Sequence, residues 1–109
     1  MVSPTIRERY LRDPLPIRLG GLAADLTRIA SFAENPLNRD AVTSLIEESK
    51  YFAEWTAPDA PTNIQAALAR VQMSLALWHR RWLAGQPEPS MREQAQRWSD
   101  QLLELSGLV

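Results

Sequence analysis

The chain has 109 residues, with 12 Lys and Arg against 13 Asp and Glu, one His and no Cys, for a formal charge of -1. One domain with its own apolar core is expected at this length, and the lack of cysteine excludes disulfide frameworks, Cys-based zinc sites and thiol chemistry. A charge this near zero supplies no overall field for DNA, RNA or an anionic membrane.

Residues 1–12 lie outside the periodic pattern and form a short N-terminal arm. Their charges and the lack of an apolar run long enough to span a bilayer lead us to expect a cytoplasmic protein without membrane contact. Ile6, Tyr10 and Leu11 suit either a helical turn docked on the domain or a free arm reaching to a partner. The remainder, 13–109, is a single helical domain that its prolines divide into four segments.

The first helix, about 14–34, starts with Asp13 as N-cap and Pro14 at the first helical position, and carries Leu15, Leu19, Leu22, Leu26, Ile29 and Ala33 on one face. Asn38 caps the second, about 39–56, with Leu37 and Val42 placed as a hydrophobic staple; Val42, Leu45, Ile46, Ser49, Phe52 and Ala53 share its face. The third, about 63–84, opens on the capping box Thr62-Asn63-Ile64-Gln65 and repeats Ile64, Leu68, Val71, Leu75, Trp78 and Trp82 until Gly85 stops it. The fourth, about 91–106, opens on a second box, Ser90 to Glu93, carries Met91, Ala95, Trp98, Leu102 and Leu105, and closes at Gly107. No segment alternates with period two. Apolar spacings of 3 and 4 with short connections predict an all-α, up-down-up-down antiparallel four-helix bundle.

With its main seam removed, the third helix keeps a second apolar line, Ala66, Ala69, Met73, Ala76 and Leu77. A helix apolar on two sides is buried on two sides, so this line touches either more of its own chain or a second subunit across a two-fold axis. The first helix has a comparable small-residue line, Gly20, Ala24, Thr27 and Ser31. Each glycine inside a helix costs about 1 kcal/mol relative to Ala, so Gly20-Gly21 marks either a close approach or a bend. Ala66, Ala69, Met73, Ala76, Leu77, Gly20 and Ala24 are therefore the candidate interface.

Charge is uneven along the chain. Residues 35–60 hold two basic and five acidic groups, while 61–86 hold three arginines and no carboxylate. Either Glu47, Glu48 and Glu54 lie next to Arg70, Arg80 and Arg81 in the fold or merely keep it soluble, or these charges form a docking surface for a protein partner. Trp78 to Trp82 mixes rings and cations as a nucleic-acid groove does, but both indoles fall on the seam, so nucleic-acid binding is not expected. His79 sits at the edge of that seam, where a boundary residue with one ring nitrogen satisfied locally is expected.

Signatures of catalysis are missing. One histidine does not supply the paired Glu-x-x-His of a di-iron bundle, and no nucleophile elbow, phosphate loop, dinucleotide glycine pattern or zinc-protease motif occurs. Glu47, Glu48 and Glu54 project mainly to the polar face. No enzymatic activity, cofactor or metal is expected.

Three stretches, 14–24 from Pro14 to Ala24, 47–58 from Glu47 to Pro58, and Leu75-Ala76-Leu77-Trp78-His79, resemble small uncharacterised helical proteins of cyanobacteria. The resemblance covers roughly half the chain and includes no known catalytic or binding signature. It implies no activity and suggests a cytoplasmic protein of a photosynthetic bacterium. The composite expectation is a self-associating, homodimeric interaction module. The alternative is a small-ligand binder that encloses its ligand among Trp55, Trp78, Trp82 and Trp98.

Overall fold

Residues 4–108 are described by the computed structural model, and each apolar period becomes a helix in it. The α-helices are α1 (Pro4–Arg12), α2 (Leu15–Phe32), α3 (Arg39–Thr56), α4 (Thr62–Leu83) and α5 (Met91–Ser106), with 3-10 turns at Pro36–Asn38 and Ala57–Asp59. The described residues contain no strand. The arm is thus largely helical: α1 lies against α3, with Tyr10 buried, and residues 1–3 are outside the described range.

The four seams meet in one core. Leu19, Leu22, Leu26 and Ile29 of α2, Val42 and Ile46 of α3, Leu68, Val71, Leu75 and Trp78 of α4, and Ala95 and Leu102 of α5 are all fully enclosed. The helices do not share that core evenly. α2 packs extensively on both α5 and α3, α3 packs on α4, and α4 meets α5 only sparsely.

Small residues explain how closely α5 approaches α2. Ala23 and Ala30 expose the α2 backbone, so that Ser99 Oγ donates to the Ala23 carbonyl at 2.8 Å and Arg92 Nε to the Ala30 carbonyl at 2.9 Å. Ser99 also shares a 2.7 Å bond with Thr27, and Arg92 pairs with Glu34. Helix α2 runs unbroken through Gly20-Gly21. A Cβ on Gly20 would stand 3.1 Å from the Leu108 side chain, so close approach, rather than a bend, is the structural setting of this glycine.

Several helix ends differ from the expected chemistry. Helix α2 begins at Leu15 with Pro14 at the N-cap, while the Asp13 carbonyl accepts from Arg18 Nε. Neither capping box forms. A serine or asparagine cap needs extended backbone, but Ser90 (ψ 5°) and Asn38 (ψ 13°) are not extended, and neither side chain caps its helix. Ser90 Oγ instead donates to Glu88 and accepts from Gln94, and Asn38 donates to the Phe32 carbonyl at the end of α2. Thr62 is already inside α4 behind Pro61, and Gln65 donates to the Ala57 carbonyl. Leu37 is 90% exposed on its 3-10 turn, so its staple with Val42 is not made. The glycine stops do form. Gly85 (φ 74°) sends its N–H to Trp82 while the Gln86 N–H reaches Arg81, a Schellman closure, and Gly107 (φ 76°) ends α5.

Candidate functional site

The second line of α4 lies on the surface. Ala66, Ala69, Met73, Ala76 and Leu77 are all exposed, Met73 by 74%, although seven residues on the other side of the same helix are buried. Among the described residues α4 packs mainly on α3 and sparsely on α5, and no residue of the second line is buried in the core. On α2 the small line divides differently, with Gly20 half-buried beneath Leu108, Thr27 bonded to Ser99, and Ala24 and Ser31 exposed.

A polar network joins α1, α2 and α3 at one side of the fold. Tyr10 stacks on Phe52 with ring centroids 4.0 Å apart, donates from its hydroxyl to the Arg18 carbonyl at 2.9 Å, and accepts from Thr56 at 2.8 Å. Burial pushes its phenol up to about 12, partly offset by the Thr56 bond and the Arg18 charge, so it stays a neutral donor. Arg18 is itself buried and reaches Asp59 at 2.9 Å. Next to this network sits Asp25, 2% exposed. Its Oδ1 accepts from Arg28 at 3.1 Å, while Oδ2 meets no donor. Burial first, then a hydrogen bond to Glu48 and the Glu48 charge, raise Asp25 to about 8, against the opposing pull of Arg28. Glu48 in turn lines a groove of about 520 Å³ together with Ile6, Arg9, Tyr10, Arg12, Asp13 and Phe52.

Asp25 escaped the sequence reading although a signal was present. It falls three residues after Leu22 and four before Ile29, on the buried side of α2, where a carboxylate demands a partner. The partner itself, on another helix, leaves no trace in local spacing.

Across α3, Glu47, Lys50, Tyr51, Glu54 and His79 line a second groove of about 420 Å³. The only lysine and the only histidine of the chain meet there. Lys50 Nζ donates to His79 Nδ1 at 3.2 Å, so one ring nitrogen of this boundary residue is satisfied locally, as its seam position suggests, while the buried Nε2, 3.7 Å from Glu47, has no hydrogen-bond partner. Arg81 turns away from α3 to Glu88, at 3.4 Å. Glu48 and Glu47 thus serve opposite grooves, and Glu48 does not remain on the polar face.

The four indoles do not converge. Trp78 is fully enclosed and donates to Gln94; Trp82 donates to the Arg39 carbonyl. Trp55 joins Tyr10, Tyr51 and Phe52, with Arg7 above its ring, and Trp98 lines a separate groove with Ser74 and Arg97. Among the described residues no three His, Asp or Glu side chains gather as metal ligands, and no helix is long and apolar enough to cross a membrane. No known protein family, curated protein or solved structure matches the chain.

Proposed function

We propose that the protein is a non-enzymatic interaction module that pairs with a second copy of itself through the exposed line of α4. The carrying observation is the bare row Ala66, Ala69, Met73, Ala76 and Leu77 on a helix whose opposite side is core. With Leu83, 55% exposed, the row runs for about 25 Å along the helix at 1.5 Å per residue, long enough for a helix-to-helix seam.

The pattern favours a two-fold axis at Met73. Alanines stand at Ala69 and Ala76 on either side of it, and Ala66 and Arg80 lie seven residues away in each direction. An antiparallel copy places each Arg80 stem over the other copy's Ala66, with the guanidinium reaching solvent. In this reading α2 to α5 run as an up-down-up-down antiparallel bundle joined by the links 33–38, 57–61 and 84–90, and α4 presents its outer side to the partner copy. A seam of small side chains gives a reversible dimer, with dissociation near the micromolar range expected from its modest apolar area.

Two charge substitutions test the seam by sedimentation. Met73→Glu and Ala69→Arg lie outside the core, so each is expected to keep the helical content and thermal stability of the monomer and to abolish the dimer. Variants that sediment as the parent protein does at every concentration would remove this reading.

A further inference from the structure

Buried carboxyls are costly, and Asp25 is the most enclosed charged side chain in the described fold. One oxygen takes Arg28; the other has no donor, and the hydrogen-bonding neighbour from α3 is Glu48, which as a carboxylate has none to give. Two neighbouring carboxylates repel, whereas one proton between them converts repulsion into a charge-assisted hydrogen bond. We propose that Asp25 and Glu48 form one proton-binding site, and that loss of the proton swings Glu48 from Asp25 toward Arg9 and Arg12 of α1.

The surroundings supply both positions. Inward, Glu48 meets Asp25, whose other charged neighbour is Arg28 of α2. Outward, it faces the groove shared with Arg9 and Arg12, with Asp13 at the same rim. Glu48 is half-buried on α3, at the rim of the groove, whereas Asp25 is enclosed on α2. Tyr10 and Arg18 also lie on this side, and both are fixed, Tyr10 by Thr56 and the Arg18 carbonyl, Arg18 by Asp59 and the Asp13 carbonyl. The moving group is therefore Glu48, and the element that senses it is α1, which is anchored through Tyr10. The step is a simple ionisation: the carboxyl pair releases H⁺ to water and changes from one negative charge to two, which the α1 guanidinium groups then share.

The test is an NMR titration of the intact protein from pH 5 to 10, following the side-chain carboxyl carbons of Asp25 and Glu48 and the backbone amides of α1. Asp25 is expected to titrate near 8, with the amides of Arg9 to Arg12 shifting at the same midpoint. Asp25→Asn, which keeps a donor facing Glu48, is expected to fold and to lose both transitions. Glu48→Gln, which removes the neighbouring charge and offers the buried carboxylate an amide donor, is expected to lower the Asp25 midpoint and to silence the α1 amides. Arg9→Ala with Arg12→Ala is expected to keep an alkaline Asp25 titration and to silence the α1 amides with Glu48 in place. An Asp25 carboxyl that titrates near 4, or an α1 response that survives Asp25→Asn, would overturn the proposal.

Discussion

Helices α2 and α4 each carry two lines of apolar or small residues, and the fold treats them differently. On α2 the small line borders α5: Gly20 lies under Leu108, Thr27 bonds Ser99, and the neighbouring Ala23 and Ala30 admit side chains from α5 to the backbone carbonyls. On α4 the corresponding line stays bare, because α5 spends its apolar side on α2 and meets α4 only sparsely. A second apolar line therefore announces a second contact without saying which chain supplies it. At Gly20, Ala23, Thr27 and Ala30 the same chain comes close to α2; where Met73 and Leu77 stand among alanines, the described chain leaves α4 open to another molecule.

The largest expected difference between the two sides of α4 is in stability. Trp78→Ala, which empties a fully enclosed indole site and removes the donor to Gln94 Oε1, is expected to cost about 3–5 kcal/mol, whereas Met73→Ala should change monomer stability by no more than about 0.5 kcal/mol. Chemical denaturation of the two variants at low protein concentration checks this, and equal costs would erase the distinction between core seam and docking line.

The α2–α3 side adds a pH dependence of its own. Because Asp25 is raised from 3.8 to about 8, the folded chain holds a proton that the unfolded chain has released. The contribution of Asp25 to stability is then greatest below about pH 4, falls as pH rises toward 8, and levels off above it. Asp25→Asn should flatten that slope in denaturation curves recorded across the range. The smallest effect is on the covered line of α2. Gly20→Ala should raise stability by about 0.5–1 kcal/mol, since the contact is with the far end of the half-exposed Leu108 side chain, which yields to the added methyl. A loss instead would show that Leu108 is held tightly against α2.

The helices and their buried faces were legible from spacing alone, because a period of 3.6 is written directly in positions such as Leu19, Leu22, Leu26 and Ile29. The glycine stops at Gly85 and Gly107 were legible for the same local reason, a left-handed residue that few others tolerate. The N-terminal caps were not. Ser90 and Thr62 suit capping by type, yet backbone angles and the preceding Pro61 direct their surroundings elsewhere. Helix α1 was underread because its nine residues are mostly polar and exposed, and what secures it is one stacked tyrosine and its hydroxyl bonds, made to residues far along the chain. The Asp25–Glu48 pair was hidden likewise: local spacing marks Asp25 as misplaced, and only the packing of α2 on α3 names its partner.

Light scattering of the purified protein over a wide concentration range at neutral pH measures most directly whether the open side of α4 has a natural occupant. The account predicts a mass that rises from one chain to two as concentration increases through the micromolar range and then stays at two, as a closed two-fold contact requires. A mass of one chain at every concentration would contradict it.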